Sequence, residues 1–219
     1  MLLFGHLGIT LAAGMLAKYG LAERAALEIE TKETESSPEP SSLATHKEGH
    51  IPGNRISSLA LLRSHFDYRF LLVGSLLPDI LDKPIGRIVF YNTFQSGRIF
   101  GHTLCLNLLF IVLGVYILRR WRKTWLIILA SGSIVHILLD RMWASPEAFF
   151  WPAYGWSFPK VSPIDFFGWL SNVLDTLTNP AVCIPEIIGL GILVWFAARL
   201  IIKKQVRTFI RSGIAPIVF

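Results

Sequence analysis

Apolar residues fall into five runs. Leu2 to Ala17 is broken only by His6 and Thr10, and Phe70 to Leu81 follows a stretch carrying Arg63, Asp67 and Arg69. Leu104 to Leu118 holds no charge, and Trp125 to Leu139 holds none unless His136 is protonated. Ile187 to Ala198 is the uncharged centre of a run that extends to Ile202. A membrane-crossing helix usually needs about 20 apolar residues, so each run alone is marginal. Together, with polar flanks at both ends, they predict an all-α fold: a compact membrane-embedded bundle of about five apolar helices. The competing reading is a soluble all-α protein with very apolar core helices.

The polar stretches complete this picture. Glu30 to Ser58 is rich in Glu, Ser, Thr and Pro and poor in large apolar residues, which predicts a flexible insertion within a single domain of residues 1–219. The start lacks the basic flank of a cleavable signal peptide, and no internal repeat is visible.

Composition agrees with the membrane reading. Of 219 residues, 53% are hydrophobic and 16% charged, against roughly a quarter charged in soluble domains. The mean hydropathy is +0.52. These values exclude a disordered chain and argue against an ordinary soluble enzyme. The net charge of +6 suits loops facing anionic lipid. Nucleic acid is a poor partner, because the basic residues form two separate clusters with no basic stripe. Cys105 and Cys183 lie in apolar runs and indicate neither a disulfide scaffold nor a cysteine-ligated zinc module.

Charge also gives orientation. The turn from Arg119 to Lys123 and the tail with Lys203, Lys204, Arg207 and Arg211 are predicted to be cytoplasmic. Arg141 to Pro185 is poor in basic residues and is predicted to lie outside. It is rich in aromatics, from Trp143 through Phe166, Phe167 and Trp169, which suits the headgroup level of a membrane.

An ionisable residue inside a membrane helix is costly and therefore a functional candidate. His136 and Asp140 are four apart and share one helix face. His102 precedes the third run, Asp79 ends the second, and His6 lies near the start of the first. The third and fourth runs form a hairpin, so His102 and Asp140 fall at its open end with His136 one turn deeper. The alternating topology brings Asp79 and His6 to that same end. Three imidazoles and two carboxylates are a ligand set for zinc, or for manganese. Singly, each has a blander reading: His136 and Asp140 as a structural hydrogen-bonded pair, Pro78-Asp79 as a helix stop, His6 as incidental. Their shared end favours a site. His46, His50 and His65 do not share it.

At these residues the sequence resembles a family of bacterial and archaeal membrane-bound proteins described as predicted metal-dependent hydrolases, some of them LexA-regulated. The matching pieces are His6, Gly74-Ser-Leu-Leu-Pro-Asp79 with Asp82-Lys-Pro, Gly101-His-Thr103, His136-Ile-Leu-Leu-Asp140 and Phe150-Trp-Pro152. The ligand order is also similar to the first part of the zinc-dependent phospholipase C pattern, where the resemblance implies an α-helical fold with clustered zinc ions hydrolysing phosphodiesters. No histidine follows His136, so the later ligands of that site have no match, which favours one or two ions over three.

The function expected is a multi-pass cell-membrane hydrolase with its site on the extracytoplasmic side. It would act on a phosphoester or ester of a lipid or amphipathic substrate. Metal would bind His6, Asp79, His102, His136 and Asp140. Asp79 or Asp140 would orient or deprotonate a water, and Arg98 would bind a phosphate oxygen. Asp82 and Lys83 would support the ligands or form an exposed turn. The rivals are a non-catalytic membrane protein whose buried polar groups and small residues hold its helices together and, ranked lower, a metal or proton transporter.

Overall fold

The structure, a computed structural model, describes residues 3–35, 58–160 and 178–215, with single positions between 168 and 175. Among the described residues the chain is helical and has no strand. The elements are α1 (Leu3–Glu35), α2 (Ser58–Ser64), α3 (Tyr68–Pro84), α4 (Tyr91–Phe94), α5 (Leu104–Trp121), α6 (Trp125–Leu139), α7 (Pro146–Phe149), α8 (Pro180–Ile202) and α9 (Val206–Ser212). A wide turn, Ile85–Val89, prolongs α3, and a tight one, Phe100–His102, precedes α5.

Local chemistry explains several boundaries. Side-chain oxygens of Asp67, Thr103 and Asn179 accept the backbone N–H of Arg69, Leu106 and Ala181 at the starts of α3, α5 and α8, which satisfies donors a helix start leaves open. Arg122, at φ 57, closes α5 into the turn leading to α6. Among the described residues each of the five apolar runs lies on a helix. The blander reading of Pro78-Asp79 as a helix stop does not hold: α3 continues to Pro84 and keeps Asp79 inside it. One boundary differs from the sequence expectation. Helix α1 continues from Glu30 to Glu35, where the insertion was expected to begin. The rest of that insertion, residues 36–57, lies outside the described residues, as do Phe166, Phe167 and Trp169.

Helix α3 crosses α6 at very short range. The crossing uses small residues: Gly132 faces the Leu71 carbonyl and the Ser75 N–H, and Gly74 faces the Leu129 carbonyl. Gly8 of α1 meets Gly189 of α8 in the same way. One core, with Leu11, Tyr68, Leu71, Ile128, Phe196 and Leu200, joins α1, α3, α6 and α8. A second, with Ile99, Ile137, Met142, Ala148 and Phe158, lies near the far end of α6.

Among the described residues, α5 and α8 are long and apolar enough to cross a membrane. Their 18 and 23 residues span about 27 and 35 Å at roughly 1.5 Å per residue. Only 17% of each apolar window is buried, unlike the core helix of a soluble protein. Val112 and Tyr116 of α5, and Ile187 and Val194 of α8, point outward. Helix α6 is apolar but shorter, at 15 residues.

The α3–α6 crossing yields a prediction. A side chain at Gly132 has no room, whereas Gly191 faces open space. Gly132→Leu is expected to cost about 3 kcal/mol, seen as a lower Tm and poor monodisperse yield in detergent. Gly191→Leu is expected to leave both unchanged.

Candidate metal centre

Four segments bring the predicted residues together. The first turns of α1 supply His6, the last turns of α3 supply Asp79, the tight turn before α5 supplies His102, and the end of α6 supplies His136 and Asp140. His6, His102 and His136 are buried. The Nε2 atoms of His102 and His136 stand 3.3 Å apart. Asp79 Oδ1 lies 3.7 Å from His102 Nε2 and 4.0 Å from His136 Nε2. Asp140 Oδ2 lies 3.9 Å from His102 Nε2. Ligands at zinc–nitrogen distances of about 2.0–2.1 Å on a tetrahedron stand roughly 3.3 Å from one another, so the imidazole pair is at that spacing and the carboxylate oxygens stand a few tenths of an ångström wider.

The outer nitrogens fix which way the imidazoles face. His136 Nδ1 lies 2.6 Å from the Ser75 carbonyl, which can only accept, so Nδ1 carries the hydrogen. His102 Nδ1 donates to Asp82 Oδ2 at 2.7 Å. In the neutral rings, therefore, both Nε2 lone pairs aim into the same gap, where they repel unless a cation lies between them. Orientation of this kind, by a carbonyl and a carboxylate behind the ligands, is how proteins prepare histidines for metal.

Asp82 also organises the backbone. It is fully buried, and its two oxygens accept the N–H groups of Ile99, Gly101 and His102 at 2.7, 2.7 and 3.2 Å. Gly101 sits against the Pro78 backbone and the Asp82 carboxylate. Asn107 of α5 donates to the Gly101 and Thr103 carbonyls, and its own oxygen accepts from Ser133 of α6 at 2.6 Å. The His102 turn is thus held from both sides.

His6 and Asp140 form a second set. His6 Nε2 lies 3.1 Å from Asp140 Oδ1, and the His6 ring stacks on His136 with centroids 4.3 Å apart. Arg98 donates to Asp140 Oδ2 at 3.0 Å. Burial pushes the Asp140 carboxyl up, but the His6 hydrogen bond and the Arg98 guanidinium outweigh it and hold the group well below the usual carboxylate range. Two trios can each turn three ligand atoms to within 4.8 Å of one another: Asp79, His102 and His136, and His6, His136 and Asp140. In the second, Asp140 already occupies the His6 nitrogen.

A pocket of about 320 Å³ opens over Asp79 and Asp140 and is walled by Lys83, Arg87 and Arg98. Beside it Phe100, Trp151 and Phe158 form a mutually packed aromatic group, with ring centroids 5.1–5.6 Å apart. His65 lies elsewhere: its carbonyl accepts from Thr124, at the basic turn before α6. His46 and His50 lie outside the described residues.

The search for ionisable groups inside apolar runs missed Ser75, Asn107 and Ser133, whose neutral dipoles carry no charge signal. It also missed Glu186, one residue before the fifth run. Glu186 is buried and accepts the Gly5 N–H at 2.9 Å, which ties α8 to the turn that carries His6. A carboxylate beside an apolar run, like an amide within one, is the signal that would have found them.

Because Asp82 accepts from four donors, an amide in its place turns a donor toward donors. Asp82→Asn is expected to cost about 3 kcal/mol. Asp79→Asn, on a group that is partly exposed and paired with Lys83 at 2.6 Å, is expected to cost under about 1 kcal/mol. Thermal unfolding of the two purified variants measures the contrast.

A family model described as YdjM inner membrane protein matches residues 42–207. The match runs from before α2 to beyond α8 and takes in Asp79, Asp82, His102, His136 and Asp140, while His6 precedes it. No curated protein and no solved structure matches the chain. The matched span is about three quarters of the 219 residues, and it agrees with the exposed apolar surfaces of α5 and α8: the chain belongs to the YdjM inner membrane protein family.

Proposed function

We propose that this protein is a multi-pass, metal-dependent hydrolase of the inner membrane. The observation that carries the reading is the facing pair of imidazoles. Their tautomers are set from behind by Ser75 and Asp82, and their lone pairs converge beside the Asp79 carboxylate. Asp79, His102 and His136 would hold one divalent ion, zinc or manganese. His6 and Asp140 would complete the site or hold a second. When bound, such an ion supplies Lewis acidity and lowers the pKa of water from about 15.7 to near 7.

The chain's own residues have distinct parts in this chemistry. Asp140, kept ionised by His6 and Arg98, accepts a hydrogen bond from the attacking water and orients it. The water oxygen bonds to the phosphorus or acyl carbon of the substrate and gives up a proton, the bond to the leaving alcohol oxygen breaks, and that oxygen takes up a proton in turn. Arg98 faces the developing negative charge. A lipid or amphipathic ester suits a charged pocket in a chain whose helices α5 and α8 are apolar and exposed.

The basic residues of the Arg119–Lys123 turn and of α9 lie at the opposite end of the bundle from His6, His102 and Asp140. By the positive-inside rule this supports a site on the extracytoplasmic side. Trp143, Tyr154 and Trp156 are exposed at the site's end, as residues at a headgroup level would be.

Elemental analysis of detergent-purified protein tests the reading. Wild type is expected to hold one or two equivalents of zinc or manganese, and His136→Ala to lose most of it. Asp140→Asn is expected to retain the first ion yet lower the turnover of p-nitrophenyl phosphate by about 10²-fold or more. Wild type without stoichiometric metal, or His136→Ala with unchanged metal content, would sink the proposal.

A further inference from the structure

Three cations wall the pocket above the metal ligands, and they are not equivalent. Lys83 is paired with Asp79 at 2.6 Å and Arg98 with Asp140 at 3.0 Å. Among the described residues no carboxylate pairs with Arg87, the third. Its guanidinium rests over Gly97, with Nε, Cζ and Nη2 only 2.8–3.3 Å from where a Gly97 side chain would begin. Glycine at 97 therefore leaves a seat at the pocket wall for a cation that has no carboxylate partner among the described residues.

The charge balance favours an anion. Lys83, Arg87 and Arg98 face Asp79 and Asp140, which leaves one excess positive charge before any ion binds and more after. A neutral carboxylic ester offers these exposed cations no countercharge. An anionic phosphate compensates it, and a guanidinium matches two phosphate oxygens in a planar fork. A volume of about 320 Å³ accommodates a phosphate with a short organic appendage. Ile88, Val89 and Phe90 directly follow Arg87 and are exposed, which puts apolar surface next to it in the chain.

We infer that Arg87, seated on Gly97 and flanked by Lys83 and Arg98, forms a binding site for a terminal phosphate group, and that the substrate is a phosphate ester with an apolar body rather than a carboxylic ester. The inference rests on the hydrolase reading for the word substrate, whereas the phosphate site stands on the pocket itself.

Isothermal titration of detergent-purified full-length protein tests it, with inorganic phosphate, dihexanoyl phosphatidic acid and dihexanoyl phosphatidylcholine as probes. Wild type is expected to bind the first two and not the third. Arg87→Gln is expected to weaken both by at least tenfold, with Tm and metal content unchanged. Arg87→Lys is expected to restore part of the affinity, and Gly97→Ala, which pushes the guanidinium off its seat, to weaken it by a lesser factor. Tighter binding of phosphatidic acid than of inorganic phosphate assigns the group to a lipid headgroup. Equal binding supports the same site with a water-soluble source. The inference is overturned if neither anion binds, if phosphatidylcholine competes equally, or if Arg87→Gln binds as wild type does. Metal without phosphate binding would remove this inference and leave the metal reading intact. Arg87-dependent phosphate binding to a protein without metal would do the reverse.

Discussion

The Nε2 atoms of His102 and His136 face each other across 3.3 Å, and each ring has its other nitrogen committed as a donor. Much of the surrounding structure serves that confrontation. The Ser75 carbonyl reaches His136 only because α3 and α6 cross on glycines, so the closeness of two backbones sets the direction of an imidazole. Asp82 reaches His102 only because the turn before α5 folds back over the end of α3, and the same carboxylate holds that turn. Two side chains thus depend on backbone geometry supplied by three separate stretches of chain.

A buried carboxylate is expensive unless the protein replaces its hydration. Asp82 has three backbone N–H groups and one imidazole in place of water. Asn107 and Ser133 extend the arrangement into α5 and α6, the hairpin that the basic turn closes at its other end. Polar groups near this end of the bundle are therefore interlinked, while the middle of α5 and α8 presents aliphatic side chains outward. This segregation lets an apolar, membrane-embedded chain carry so many buried polar atoms at one end without destabilising its helices.

Much of this was legible in the sequence. Five apolar runs mark five helices, and the Arg119–Lys123 turn identifies a hairpin whose open end gathers His102, His136 and Asp140. The alternation of runs carries His6 and Asp79 to that end as well. Less legible was how far a helix extends into a polar pattern: Glu30–Glu35 read as the start of the insertion, yet it continues α1. The neutral groups behind the ligands were invisible for a different reason. Asn107 and Ser133 gain their importance from partners on other helices, and Ser75 acts through its carbonyl, which any residue has. Asp82 and Arg98 were visible as types, but their roles depend on what folds over them.

The turn held by Asp82 has a further consequence. Residues 83–98 leave the helical bundle and return to it at a base closed by hydrogen bonds between Asp82 and Ile99, Gly101 and His102. Lengthening such an excursion costs little, about 0.6 kcal/mol for each doubling, and its base keeps its shape while the excursion changes. The chain is thereby divided into a fixed frame that sets the imidazoles and an exchangeable rim that carries Arg87, Gly97 and Arg98. A change of length or sequence in the rim therefore leaves the inner geometry standing.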